Sequence, residues 1–299
     1  MPKTPISPIS PISPISSRLK TPPTITPFFK LPNIGVYRFK GLGTPPELIV
    51  SSTGGVLNKN DTTAIQTYEA ALDVVKYYNS SFNRDSYDNK HSDVRIVIGY
   101  EDAPGRPLNN AYWNSDDKTL YFGDGDGKLF SPLGTARDVV AHEFGHAVIG
   151  SEVKLTYTGE SGGIHESVAD IFATGVDHNL QIGEDVFTPD IKGDAIRDLN
   201  NLTFKTVELL KASEYRDEPH ATGEVLSQAA VLASRSLNDS KGEGGLDKIR
   251  NIWYTAVSDN LKNHSGFAGF RQATESAALK MYGPEARQSI DDAFKAVGI

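Results

Sequence analysis

The 299-residue chain contains no cysteine, which excludes disulfide staples, thiolate nucleophiles and every metal site built on sulfur. Any metal it holds must therefore sit on histidine, aspartate or glutamate. Methionine is scarce too, with only Met1 and Met281. No apolar run approaches the roughly 18 residues of a membrane span, so no membrane partner is expected. Met1-Pro2-Lys3-Thr4-Pro5 lacks the apolar stretch and cleavage site of a secretory signal. Basic residues are outnumbered by acidic ones, 30 to 38, for a net charge of −8. That acidity, spread along the chain, argues against phosphate-backbone binding, and no nucleic-acid partner is expected.

What is present divides the chain into three parts. Nine of the 17 prolines lie in the first 32 residues, and Pro-Ile-Ser occurs four times in a row from Pro5 to Ser16. Proline at every third position removes the donors of helices and ladders, so residues 1–32 are expected to be disordered or polyproline-like. The segment would be a spacer or, alternatively, a removable pro-segment or export determinant. Residues 33–150 read as α+β. Ile65, Tyr68, Leu72 and Val75 have helical spacing behind an Asp61 cap, Val94, Ile96 and Ile98 alternate as a strand does, and Leu120 and Phe122 open another strand. From Asp138 onward helical period dominates: 138–148, 164–176, 225–237, 246–261, 267–281 and a last helix opened by Pro284 that carries Ile290, Phe294 and Val297. Residues 151–299 are thus expected to be mainly helical.

His142-Glu143-Phe144-Gly145-His146 places two histidines at i and i+4. On a helix they lie one above the other and can present two imidazoles to one zinc ion. Glu143 sits one residue round from the first histidine and can act as a base on water without binding the metal. Chance yields this pattern about 0.01 times in a chain with seven histidines and fifteen glutamates. A catalytic zinc needs a third protein ligand and an open position. Glu166, on the next expected helix, can supply that ligand, and Asp170, one turn on, can fix the tautomer of a ligand imidazole.

Together with these residues, Asn109-Asn110-Ala111-Tyr112-Trp113-Asn114, the run Gly123 to Gly127, Ile182-Gly183-Glu184-Asp185 and the ending Ala293 to Gly298 appear in one order. In them the chain resembles the thermolysin-like zinc metalloproteases from about Val36 to its C-terminus, nearest to the short, protealysin-type branch. The resemblance implies an α+β N-terminal lobe and a mainly helical C-terminal lobe, with the zinc helix lining the cleft between them. It implies an endopeptidase that hydrolyses internal peptide bonds of proteins or peptides by metal-activated water. Zinc would be held by His142, His146 and Glu166, Tyr157 and His220 would steady the oxyanion, and Asn110, Ala111 and Arg197 would contact the substrate backbone. Phe130, Leu133, Val139, Val186 and Ile196 would line an apolar pocket for the residue after the cut. Calcium is expected on Asp138, Asp177 and Glu184, and at a second, loop-type site on Thr188, Ile191 and Asp194.

The chain departs from the family pattern in three ways. His165 stands where the family has asparagine, beside the zinc ligands. Tyr215 holds the place of the carboxylate that orients the histidine matched by His220, leaving Asp217 as the nearest replacement. Asn179 and Gln181 occupy two acidic places of the double calcium site, so one ion is expected instead of two. A zinc aminopeptidase is the first alternative, but its Gly-x-Met-Glu-Asn element is missing. A catalytically inactive relative serving as a binding module is the second, and the retained Glu143 counts against it. A monomer is expected, leaving the cell by a route without a standard signal peptide or else remaining cytoplasmic.

Overall fold

Val94, Ile96 and Ile98, β-branched and alternating, favour a strand in the first half of the chain. The computed structural model describes residues 30–238 and 244–299; the Pro-Ile-Ser run and all but the last three residues of the expected disordered segment lie outside these. In chain order the elements are β1 (Ile34–Arg38), β2 (Glu47–Ser51), β3 (Gly55–Val56), α1 (Thr62–Phe82), β4 (Val94–Ile98), β5 (Glu101–Ala103), β6 (Arg106–Pro107), β7 (Ala111–Asn114) and β8 (Thr119–Phe122). Then follow α2 (Arg137–Glu152), α3 (Gly159–Asp177), β9 (Gln181–Ile182), β10 (Arg197–Asp198), α4 (Val207–Lys211), α5 (Pro219–Leu237), α6 (Gly245–Thr255), α7 (Phe267–Tyr282) and α8 (Pro284–Ala296). The first half is a mixed sheet with a helix and the second is helical, as the resemblance implied.

The sheet runs β3-β2-β1-β4-β8-β7. β1 pairs with β4 and β4 with β8 in parallel, while the other neighbours are antiparallel. Among the described residues β7 is therefore a terminal strand with one edge unpaired. α1 starts where the Asp61 carboxylate accepts from the Ala64 amide at 3.0 Å, satisfying one of the orphan donors of the first turn. It stops at Asn83, whose φ of 52° is the left-handed conformation that asparagine tolerates at a helix end. Ala64, Ala71, Val74 and Tyr78 are buried, and α1 packs against β1 and β2.

α2 has no polar face. Every residue from Asp138 to Ile149 is buried except the half-buried His146, so this helix is enclosed by α1, β7 and α3. Enclosure forces its polar residues to find partners, because an unpaired buried charge is costly. Small residues set the helix crossings. A Cβ on Gly145 would stand 3.1 Å from the Ala169 Cα, and one on Gly223 would stand 2.7 Å from the Glu166 Cβ. α3 is held this closely between α2 and α5, which presses Glu166 toward the histidines.

The structure departs from the expected elements in two places. The helix expected over 246–261 is α only to Thr255, and 256–260 form a wider π turn closed by the Leu261 amide on the Ala256 carbonyl at 2.7 Å. The wider turn keeps Ala256 and Val257 buried. At the C-terminus Val297 lies just beyond α8 and is buried there.

Candidate active site

Three ligand atoms converge where α2 crosses α3. His142 Nε2 and His146 Nε2 lie 3.1 Å apart, and Glu166 places Oε2 3.4 Å from the first and Oε1 3.4 Å from the second. Nitrogens and oxygens this close, on side chains of borderline and hard donors, suit zinc. The buried Glu166 Oε2 has no hydrogen-bond partner among the described residues. An orphaned carboxylate oxygen facing two imidazoles is one that a bound cation would satisfy, so the donor set fits the metal that the sequence implies.

A second layer fixes these side chains. Asp170 Oδ1 accepts from His142 Nδ1 at 2.8 Å, leaving Nε2 to face the ligand point. Arg197 grips the same carboxylate with two bonds, Nε at 2.8 Å and Nη2 at 2.6 Å. Burial alone would raise the Asp170 pKa, but the Arg197 charge and the His142 bond hold it down at about 2. Burial would likewise lower that of His142, but Asp170 and Glu166 hold it up at about 10. Glu166 is buried too, yet the two histidines keep it well below the usual carboxylate range. His146 Nδ1 is 3.0 Å from His165 Nδ1. Burial, then the neighbouring His146, pushes His165 down to about 3. A neutral His165 can accept the His146 Nδ1 proton, so the residue that departs from the family pattern still meets the ligand imidazole.

These residues open onto a cavity of about 720 Å³. Glu143 lines it, is buried, and makes no side-chain hydrogen bond among the described residues, leaving its carboxylate to the cavity. The wall includes Asn110 and, at the start of β7, Ala111, with Arg197 of β10, and Phe130, Leu133, Val139 and Ile196 of the expected apolar pocket. Val186 does not reach the wall. It is buried in the core, its amide on the Gly183 carbonyl and its carbonyl on the Ser131 amide, and Ile182 faces the cavity instead.

Tyr157 and His220 also line the cavity. The Tyr157 hydroxyl donates to Glu166 Oε1, and His220 turns Nε2 to within 3.4 Å of Glu166 Oε2. The group that orients His220 is Glu218, whose Oε1 is 2.6 Å from His220 Nδ1. Asp217, the sequence candidate, is almost fully exposed and only 3.7 Å from Arg216, because the chain turns into α5 at Pro219 and carries its side chain outward. Glu218 Oε2 accepts from the Ala221 amide at 2.8 Å, so one carboxylate caps α5 and holds the histidine. Pro219 was a readable helix start, and a proline at the first helical position puts Glu218 at the N-cap. Tyr112, Trp113 and Lys154 also line the cavity and were not foreseen.

One turn before His142, Asp138 gathers with Asp177 and Glu184 so that one oxygen of each lies within 4.8 Å of the others. Burial, then the Glu184 and Asp177 charges, pushes the Asp138 carboxyl up to about 7. Asp177 is raised as well, by burial and then by the Glu184 and Asp185 charges, against the opposing charge of Arg137. Asn179 Nδ2 donates to Glu184 Oε1 at 2.6 Å, while the buried Glu184 Oε2 has no partner among the described residues. An all-oxygen donor set with one orphaned oxygen fits a hard divalent cation such as calcium. At the expected second site, Thr188 Oγ1 donates to Asp194 Oδ2 at 2.7 Å and the Ile191 side chain is exposed.

Comparison with known proteins agrees with this geometry. Residues 32–150 match the thermolysin metallopeptidase catalytic domain and residues 153–299 the thermolysin metallopeptidase alpha-helical domain. The thermostable neutral protease NprT of Geobacillus stearothermophilus is 33% identical over 255 residues, covering 80% of this chain and 45% of that protein. An extracellular elastase of Staphylococcus epidermidis is 32% identical over 236 residues, covering 77% and 45%. The chain spans less than half the length of these relatives. The solved structure of the precursor of protealysin, a metalloproteinase from Serratia proteamaculans, matches with a TM-score of 0.79 at 23% identity, covering 92% of this chain and 90% of that one.

Proposed function

The chain belongs to the thermolysin metallopeptidase family, and from that premise we propose that it is a zinc-dependent endopeptidase that cuts internal peptide bonds before bulky apolar residues. The observation that carries this reading is the convergence of His142, His146 and Glu166 on one point beside the unpartnered Glu143 carboxylate. Zinc held there supplies Lewis acidity, making a carbonyl more electrophilic and a water more acidic. Glu143 takes the proton of the attacking water and returns it to the leaving amine, as general-base and then general-acid catalysis require. The Tyr157 hydroxyl and His220 Nε2 donate to the oxygen on which charge develops, where preorganised donors are most effective.

Binding follows from the walls. The unpaired edge of β7 offers its backbone to an extended peptide, in the manner of strand addition. Arg197 has committed Nε and Nη2 to Asp170, so its Nη1 is available to a peptide carbonyl. Phe130, Leu133, Val139 and Ile196 present only carbon to the residue after the cut, and a charged side chain there would lose its hydration with no partner. Calcium on Asp138, Asp177 and Glu184 would pin α2 to the end of α3 and the following loop without entering the chemistry. The name of the staphylococcal relative supports action outside the cell.

The test is metal analysis of the purified protein together with mapping of cleavage sites in casein, with and without chelator. Stoichiometric zinc and chelator-sensitive cuts before Leu, Ile, Val or Phe are expected. Absence of zinc, or cuts dominated by charged residues after the bond, would overturn the reading.

A further inference from the structure

We infer that Lys154 selects substrates, favouring peptides with an acidic side chain two to four residues before the scissile bond. The inference rests on the endopeptidase reading above and adds to it the charge of the preferred substrate.

The cavity runs along α2 and has two unlike ends. Val139, near the start of the helix, belongs to the apolar end, while Gly150, Val153 and Lys154 line the other. Val139 and Gly150 are eleven residues apart on α2, or about 16 Å along its axis. Trp113 marks the far end as well, since its ring lies 5.2 Å from that of Tyr87, whose carbonyl accepts from Ser151 Oγ at 2.9 Å. The histidines and Glu143 lie between the two ends. If the apolar end receives the residue after the cut, the Lys154 end receives the residues before it.

Lys154 is anchored by its backbone and free at its tip. Its amide donates to Asn263 Oδ1 at 2.8 Å and its carbonyl accepts from the His264 amide at 2.8 Å, so the residue cannot drift from the rim. Its ammonium makes no ion pair among the described residues, and three acids of neighbouring segments are engaged elsewhere. Glu152 pairs with Arg84 at 2.6 Å, Glu160 accepts from the Phe267 amide at 2.9 Å and Glu218 holds His220. On a chain of net charge −8, an uncompensated cation at one end of the cleft is a local reversal of sign that an anionic side chain would seek. Six residues of α2 separate His146 from Glu152, about 9 Å at the helical rise, and Lys154 lies two residues beyond the helix end. An extended peptide covers that distance in three to four residues, and the lysine stem shortens it.

The test compares two peptides identical except for Glu or Lys at the third residue before a single Leu-directed cleavage site. The parent should cleave the Glu peptide with kcat/KM about two- to fivefold higher, the range of a solvent-facing ion pair, and high salt should shrink the ratio. Lys154→Glu should reverse the preference. Lys280→Glu, an equal charge change on α7 away from the cavity, should keep the parent's ratio. A ratio near one in the parent, or one unchanged in Lys154→Glu, would overturn the inference while leaving the endopeptidase reading intact. If neither peptide is cut, that reading fails by itself, and the same peptides, fluorescently labelled, are titrated onto the zinc-loaded protein with and without Lys154→Glu. Tighter binding of the Glu peptide that reverses in the variant would support the role of Lys154; equal binding would refute it.

Discussion

α2 carries two clusters of titratable side chains one turn apart, and they face opposite electrostatic problems. At His142, His146, Glu166 and Asp170, cationic and anionic groups alternate, so burial is opposed by pairing and the Asp170 and Glu166 carboxyls are held down. At Asp138, Asp177 and Glu184 three carboxylates meet, burial and repulsion act in the same direction on Asp138 and Asp177, and those two carboxyls are pushed up. The same helix thus bears one site that is balanced before any cation arrives and one that needs a cation to stay ionised. Removing a residue should therefore have different signatures at the two clusters.

The largest effects belong to the balanced cluster. His142→Ala or His146→Ala should abolish zinc binding and activity together, because two ligands cannot hold a catalytic zinc. Glu143→Gln should keep full zinc content and lose about 10²–10⁴-fold in kcat, the range of a missing general base. Metal content measured beside turnover separates the two outcomes. Equal zinc in the histidine variants, or near-native turnover in Glu143→Gln, would break the assignment.

Next comes the His220 pair. His220→Ala should lower kcat by about 10²-fold or more with little change in KM, if it acts on developing charge. Glu218→Gln should cost about 10-fold by releasing the ring, while Asp217→Asn should leave kcat within about twofold. A larger loss at Asp217 than at Glu218 would show that the orienting carboxylate has been misplaced.

The smallest effect tests the acid cluster. In the folded chain Asp138 stays protonated up to about pH 7, whereas an unfolded aspartate ionises near pH 3.9. Between these values the folded state binds more protons than the unfolded one, so stability falls as pH rises through that window and the contribution is gone above it. For zinc-loaded protein, Tm should therefore decline from about pH 4 to 7 without calcium. Added calcium should raise Tm most at the upper end by binding the ionised cluster, and Asp177→Ala should blunt both the decline and the calcium shift. An unchanged calcium shift in Asp177→Ala would mean that the ion binds elsewhere.

How much of this was legible in the sequence differs between chemistry and geometry. The Glu166 helix and the helical second half follow from periodicity, whereas the zinc helix, buried on every side, was legible from its His-Glu-x-x-His spacing. β2 and β7 were missed, since a five-residue and a four-residue strand take their identity from neighbours in the sheet that local sequence does not reveal. The roles of Tyr157 and His220 came only through resemblance, because these two residues, 63 positions apart in the chain, meet at Glu166 only in the fold. Sequence order misled at Asp217, where the turn into α5 decided which acid faces the histidine. Val186 was assigned to the pocket by correspondence, and the Gly183–Val186 turn buries it.

Glu218 has a kinetic consequence. Its two oxygens hold the first turn of α5 and the ring of His220 at once, so opening of that turn and loss of the transition-state donor are a single event. Helix ends open more readily than the cores they flank. Heating should then silence the enzyme reversibly below the temperature at which the core melts, and hydrogen exchange at the Ala221 amide should follow activity instead of global unfolding.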